Sequence, residues 1–536
     1  MSPLNCGITS RSYRCTKKYY QRFSQNDSLC IELSFSACPD EVVLELERVN
    51  GDACVRESHE LQIKENTASI EVKLPTAGIY RYKIRFNDGG QWLTDTHPFA
   101  YFIVDPLFLN TLKVYTLIPR ISGSIADWTL ELDKIKELGF NTVHLLPLSV
   151  MDESLSPYAA KELKKIDPLY APGNDVEKQF DQFIKRMKEL DLHLCVDLVL
   201  NHVGINNSFI SEHPDWIFED EREVDGLKRA GWHYGSSWHK WDDLALINYA
   251  GFVLDSKNEL WDYMTDYALY WARFAAETTG MIRLDNLHSS HKPFMKQLIH
   301  KCRELNPELI ILGELFTDNN LHELTYDLGL NMILATAWEI KFCPDLRNYL
   351  IELHSHESLR FYCPVSSHDS GSPAEEFGDV LATIPRLLVS CLLSPGPTGI
   401  VQGVEHGIEN KLKFIGPMEK RTWPTDEAKF SELIRKLNKL ILEHPQFRKH
   451  GNLKFIDNQH DAILAALRFF DDQQVSHLIL INMDIYHEQT ICINTSHFCK
   501  SNKLIDLFSD EILEFNGDQQ FILPAAGFKV YSTGPN

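Results

Sequence analysis

The sequence predicts an α/β chain: a (β/α)8 TIM barrel flanked by N-terminal and C-terminal β-sandwich domains. Three observations predict it. From about residue 111 strands alternate with helical stretches. Eight strand–helix repeats fit into roughly 330 residues, the span of a barrel with insertions. Both ends of the chain instead carry short strands separated by turn clusters, the pattern of sandwiches. The expected division is 1–108 for the first sandwich, 109–445 for the barrel with an insertion at about 203–250, and 446–536 for the second sandwich.

The N-terminal strands read as LCIELSFSA (29–37), VVLELERV (42–49), ASIEVKL (68–74) and GIYRYKIRF (78–86), with NDGG (87–90) as a turn. The barrel strands read as KVYTLI (113–118), TVHLLP (142–147), HLCVDLVL (193–200), MIRLD (281–285), LIILGEL (309–315), MILATAW (332–338), FYCPVSS (361–367) and GIVQGVE (399–405). WTLELDKIKELG, VEKQFDQFIKRMKELD and KPFMKQLIHKCREL are amphipathic helices between them. A doubly wound sheet is the alternative, but no Gly-rich phosphate loop supports a nucleotide-binding version. The gap after the third strand is too long for one helix and predicts the insertion. KELKK (161–165) reads as a solvated helix face. The tail returns to strands in AILAALRFF, HLILINMD, ICINTS and FILPAAGFKVYS.

Composition excludes several classes. With 44% hydrophobic and 24% charged residues the 536-residue chain is ordinary globular protein. A net charge of −22 makes nucleic acid a poor partner. No apolar run of about 18 residues exists, so no membrane span is expected. The opening MSPLNCGITSRSYRC lacks the apolar core of a secretion signal. The 12 cysteines lack CxxC spacing, and His233 and His239 have no third partner, so no metal site is expected. The cysteines read as free thiols and point to a reducing cytoplasm. The oligomeric state is not legible.

Functional side chains of such a barrel sit at the C-terminal ends of its strands. Strand three ends in Asp197 with Asn201 and His202; strand four carries Arg283 and Asp285, two residues apart and so on one side of the strand. Strand five ends at Glu314, and His368-Asp369 follow strand seven. Three acids from separate strands, with an arginine on the strand of one of them, suit glycoside chemistry. A retaining glycosidase needs an ionised nucleophile and a protonated acid about 5–5.5 Å apart. An adjacent arginine keeps a nucleophile charged, and the flanking Leu312 and Leu315-Phe316 predict a drier setting for the acid.

DLVLNH (197–202), GMIRLDNLH (280–288), LGELF (312–316) and SSHD (366–369) resemble, in order, the four conserved regions of the α-amylase family, glycoside hydrolase family 13. HLLPLSVMDESLSPY (144–158) resembles its strand-two region. The resemblance covers the barrel and extends to both flanking β domains, the first being carbohydrate-module-like. It implies Asp285 as nucleophile, Glu314 as general acid/base and Asp369 as transition-state stabiliser. It also implies that Arg283, His202, His368, Tyr158 and His288 bind substrate, with Asp197 and Asn201 as structural support and no cofactor. The substrate implied is an α-1,4-glucan or maltooligosaccharide.

The sequence departs from the amylase pattern where many members place a Lys-His pair, here His288 and Ser289. RLDNLHSSHKP is instead similar to segments of glycogen debranching enzymes and, through DNxH, to bacterial maltosyltransferases. HPDWIF (213–218) and INYAGFVLDSKNELWDYM (247–264) fit the same branches, and Ser367 replaces the usual Asn before the His-Asp pair. These features favour glucanotransfer over simple hydrolysis and argue against bound calcium. A non-catalytic amylase-fold binder of glycan or protein is the alternative, and trehalose or sucrose isomer chemistry is a further specificity of the same family. Trp232, Tyr234, Trp238 and Trp241 in the insertion suit sugar stacking or a small satellite core; Glu405-His406 read as structural hydrogen-bonding groups.

Overall fold

In the computed structural model the described residues are 5–8, 11–15, 19–50, 53–94, 99–234, 237–250, 259–316, 320–423, 428–456, 460–472, 474–494, 503–514 and 517–533. Eight parallel strands form one sheet: β1 (Lys113–Leu117), β2 (Thr142–Leu145), β3 (His193–Leu198), β4 (Met281–Leu284), β5 (Ile310–Gly313), β6 (Met332–Leu334), β7 (Phe361–Tyr362) and β8 (Thr398–Val401). Their order is β7-β6-β5-β4-β3-β2-β1-β8, that of a barrel unrolled between its last two strands. Two backbone bonds bring those ends together, from Cys363 N–H to Pro397 O at 2.8 Å and from Val365 N–H to Gly399 O at 2.9 Å. Gly399 is required there, since a Cβ would meet the Tyr362 hydroxyl at 2.1 Å. The strands are buried on both faces and therefore read as continuous apolar runs.

Each strand is followed by a helix: α1 (Ile125–Glu137), α2 (Val176–Glu189), α3 (Glu259–Glu277), α4 (Lys292–Leu305), α5 (Leu321–Leu328), α6 (Cys343–Ser355), α7 (Thr383–Leu388) and α8 (Ser431–Glu443). Their sequences account for them. Ser124 and Asp127 close a capping box at the start of α1, which buries Ile125, Trp128, Leu132 and Ile135 at helical spacing. Asp175 caps α2, which buries Phe180, Phe183, Ile184 and Met187.

The chain divides into two compact units, one of residues 1–109 with 248–332 and the other of residues 110–247 with 333–536. The first holds a sandwich of two sheets. One runs through Ser28–Phe35 and Thr67–Lys73; the other is built on Glu41–Asn50, Gly78–Asp88 and Ala100–Asp105. Alternating residues such as Leu29, Ile31 and Leu33 on one sheet meet Val42, Leu44, Leu46, Tyr82 and Phe102 in its core. Asp105, which ends the last of these strands, is buried and pairs with Arg22 at 2.8 Å. Asn331, just before β6, donates from Nδ2 to Asp105 at 2.8 Å, and its side-chain Oδ1 accepts from Ile311 N–H in β5 at 2.9 Å. This sandwich thus grips the segment that carries β5.

In the second unit the insertion forms a three-stranded sheet of His202–Gly204, Arg229–Tyr234 and Ser237–Leu246. The tail forms a six-stranded sheet and a two-stranded one, with Ile463, Leu478, Leu480, Ile491 and Phe521 in the core. One sequence expectation fails. KELKK lies in a β-strand, Ala160–Ile166, that pairs antiparallel with Ser149–Met151. Two register shifts interrupt this pairing, so Ala160, Leu163 and Ile166 turn inward three residues apart and imitate a helical period. Among the described residues no helix is long and apolar enough to cross a membrane.

Candidate active site

The eight strands stop one to five residues short of where the runs read from the sequence end. The leftover residues become the loops that carry the candidate groups. In the first unit, β4 ends at Leu284 and β5 at Gly313. The next residues are Asp285 and Glu314. The backbones stay in register past the strand ends, because Glu314 N–H donates to Leu284 O at 3.1 Å and Leu287 N–H donates to Glu314 O at 3.0 Å. Asn286 between them takes a left-handed turn (φ 49°), a conformation that asparagine tolerates better than most residues. Its N–H donates to Glu314 Oε2 at 2.7 Å.

Arg283 is buried beside both acids. Its Nη1 donates to Asp285 Oδ1 at 2.9 Å, and its Nη2 lies 2.8 Å from Glu314 Oε1. The expected Arg283–Asp285 contact is present, and Glu314 shares the same guanidinium. Two oxygens on the two terminal nitrogens of one planar fork lie within about 8 Å of each other, which admits the roughly 5–5.5 Å of a retaining pair. The setting of Glu314 is less dry than the sequence suggested. Leu312 and Leu315 are buried, but Phe316 is 47% exposed. His288 packs against the Phe316 ring at 5.6 Å, and burial holds its imidazole below the usual histidine range, against the opposing pull of Glu314. Lys292, at the start of α4, caps this loop by donating to the carbonyls of Leu287, His288 and Ser290.

In the second unit the remaining candidates form a hydrogen-bonded chain. Asp197 in β3 accepts from His144 Nε2 at 3.2 Å and from the Tyr158 hydroxyl at 3.0 Å. The same hydroxyl reaches His368 Nε2 at 2.6 Å, and that nitrogen lies 3.0 Å from Asp369 Oδ2. A hydroxyl has one proton, so Tyr158 donates to the carboxylate and accepts from the imidazole N–H. The Tyr158 and His368 rings are parallel within 2° at 5.6 Å, and Phe414 meets both edge-on. Asp369 itself is exposed, with its loop pinned by Lys411, whose Nζ donates to the Asp369 carbonyl. Ser367 accepts from the N–H groups of Asp369 and Ser370, both at 3.1 Å, and so shapes the turn that presents Asp369.

His202 is buried on the first strand of the insertion sheet, and neither ring nitrogen makes a hydrogen bond of good geometry. Burial pushes its pKa down to about 4, so it is neutral near pH 7. Asn201 is buried beside it and accepts from Ile247 N–H at 3.0 Å through its backbone. Glu405 accepts from the Tyr115 hydroxyl at 2.6 Å and from Gly403 N–H at 2.8 Å. Burial raises its pKa to about 7. Trp241 joins a satellite core with Ala159, Ala230 and Leu244, whereas Trp232 and Trp238 are half-exposed. The side chains of His233 and Tyr234 lie outside the described residues.

His144, Lys292, Lys411 and Phe414 received no role from the sequence. His144 had a signal, a histidine inside the apolar run TVHLLP. The other three had none, because their partners are distant or are backbone carbonyls. Among the described residues no group of three or more His, Cys, Asp or Glu could hold a metal ion.

Comparison with known proteins agrees with this architecture. The glucanotransferase domain of glycogen debranching enzyme, as a family description, matches residues 105–223 and 240–310. The α-1,4-glucan:maltose-1-phosphate maltosyltransferase of Picrophilus torridus is 23% identical over 421 residues, which cover 72% of this chain and 63% of that relative. The chain therefore spans less than two thirds of that protein's length. Among solved structures, a maltogenic α-amylase from Thermotoga neapolitana matches with a TM-score of 0.63 at 19% identity, covering 79% of this chain and 99% of its own. A cyclomaltodextrinase matches with a TM-score of 0.62 at 17% identity over 95% and 97% of the two chains. At such identities the structural likenesses carry the fold alone.

Proposed function

We propose that this chain, which belongs to a GH13-like amylase family, is an enzyme acting on α-1,4-glucan or maltooligosaccharides. It works by retaining double displacement and passes the glycosyl unit to a sugar acceptor in preference to water. The observation that carries the reading is the Arg283 fork, which holds Asp285 and Glu314 on adjacent strand ends. Asp285 attacks the anomeric carbon while Glu314 protonates the departing glycosidic oxygen, and a covalent glycosyl ester forms on Asp285. Glu314 then takes the proton of an acceptor hydroxyl, which attacks the same carbon and frees Asp285. In this reading Asp369 stabilises the oxocarbenium-like transition state, and His368, His202, His288 and Tyr158 bind the sugar. Asp197 and Asn201 support them, and no cofactor takes part.

Transfer is favoured by the match to a glucanotransferase domain and by the maltosyltransferase relatives, whose name makes maltose 1-phosphate a donor to test. The division at 1–108, 109–445 and 446–536 belongs to the same reading, as does a cytoplasmic location, which rests on the cysteines read as free thiols.

The test is product analysis after incubation with maltoheptaose, with and without maltose 1-phosphate. Transfer gives longer and shorter chains together. Hydrolysis gives only shorter chains, with reducing ends rising in step. Asp285→Ala should abolish turnover and leave glucan binding largely intact, because affinity is spread along a cleft while the covalent step needs one carboxylate. Binding without turnover in the unsubstituted chain would favour the non-catalytic alternative.

A further inference from the structure

A cavity of about 470 Å³ lies within the second unit, between the short helix Pro373–Phe377, helix α7 and the turn at 483–486 of the C-terminal region. Its volume falls within the roughly 300–1,000 Å³ of small-molecule sites. None of the groups proposed for catalysis lines it. Its chemistry has three parts. Tyr486 is 63% exposed and presents its ring at the rim, with its hydroxyl end over Gly378, where a Cβ would come within 2.7 Å. Arg386 is 5% exposed and stacks on the Phe377 ring at 3.5 Å. Among the described residues no carboxylate pairs with it, and its bond is a 3.3 Å contact from Nη1 to Ala337 O. Glu375, Glu376 and Asp484 add acceptor oxygens around the lining.

This set disfavours an anion, which would meet three carboxylates against the two cations Lys341 and Arg386. It suits a neutral polyhydroxylated ring. The C–H face of a sugar is apolar and packs on aromatic rings, while its hydroxyls donate to carboxylates and accept from a guanidinium. We propose that this cavity is a second, non-catalytic saccharide site that binds a short stretch of α-glucan. The choice of glucan rests on the function proposed above. Two lining carboxylates also reach the loop of Asp369. Glu376 Oε1 accepts from Gly371 N–H at 3.2 Å, and Glu375 Oε2 accepts from the N–H of Lys411 at 2.6 Å. Lys411 in turn donates to the Asp369 carbonyl. A sugar held here would sit one hydrogen bond from the elements that place Asp369.

Calorimetric titration of the full-length Asp285→Asn chain with maltotriose tests the proposal, since that variant does not consume its ligand. Two binding events are expected. Adding Tyr486→Ala should weaken one of them at least about tenfold, the scale of losing an aromatic anchor, while Tyr486→Phe keeps it. In the unsubstituted background, Tyr486→Ala should leave kcat on maltotriose unchanged and raise KM for long glucan. A single event, or two events indifferent to Tyr486→Ala, overturns the second site, even when the chain turns over maltooligosaccharides. Absence of both events together with absence of turnover overturns the glucan reading itself. Tyr486 is exposed, so its replacement leaves the fold intact and each outcome interpretable.

Discussion

Arg283 is the residue on which the two acids of the first unit depend. Its two terminal nitrogens serve two different carboxylates, a task that needs a planar fork. Arg283→Lys keeps the charge and loses one of the two contacts, and kcat/KM on maltoheptaose should fall by about 100-fold or more. Near-normal turnover in that variant would remove Arg283 from the mechanism. Tyr158 is the corresponding node of the second unit. Tyr158→Phe keeps the ring stacked on His368 but deletes the hydroxyl between Asp197 and His368. A hydrogen bond to a charged group contributes about 1.5–3 kcal/mol, so kcat/KM should drop roughly tenfold or more with little change in fold. Stopped assays at fixed substrate read both effects. Arg283 and Asp285 were legible because a strand puts residues two apart on one side. The sharing of Arg283 by Glu314 was not, since the pair comes from strands that are 31 positions apart.

At the scale of elements, the strand ends explain why the sequence reading overshot. HLCVDLVL, MILATAW and FYCPVSS stay largely apolar beyond the strand end, because the loops that follow are buried too. Periodicity reports burial, and burial continues after the strand has ended. The Ala160–Ile166 strand is the opposite case, where irregular pairing produced a false helical period. One buried side chain ties elements together without any periodic signal. Arg468, on the strand Ile463–Phe469, is fully buried. It donates to the carbonyls of Leu392, Ser394, Phe447 and Lys449 and to Asn452 Oδ1. It thereby joins the C-terminal sheet to the segment before β8 and to the end of α8. Arg468→Met fills much of the volume but strands these acceptors away from water. A loss of about 3–5 kcal/mol is expected in urea unfolding. A change below about 1 kcal/mol would show that water reaches the acceptors.

At the scale of the whole molecule, buried histidines set the acid limit of stability. Burial lowers His202 to about 4 and both His354 and His477 to about 3. The unfolded chain binds a proton at each near pH 6.5, the folded chain only well below that. Between these values the unfolded state holds more protons, so stability rises with pH. It should be complete above about pH 6.5 and fall through pH 5 to 4 by several kcal/mol, at about 1.4 kcal/mol per pH unit for each histidine. Thermal midpoints between pH 7 and 4 test this, and His477→Asn should flatten the slope. A midpoint constant over that range would contradict it.

Composition, the strand–helix alternation and four short motifs determined the fold class and placed candidate acids at the strand ends. These features are local or strictly ordered along the chain, and the barrel converts that order directly into neighbouring strand ends. Tertiary structure decided the rest. It made Arg283 common to two carboxylates, put Tyr158 between Asp197 and His368, turned KELKK into a strand, and left Tyr486 at the mouth of a cavity built from the 373–386 and 483–486 segments. Each of these joins groups far apart in sequence through a distance of a few ångströms. A one-dimensional pattern records spacing along the chain and carries no such distance.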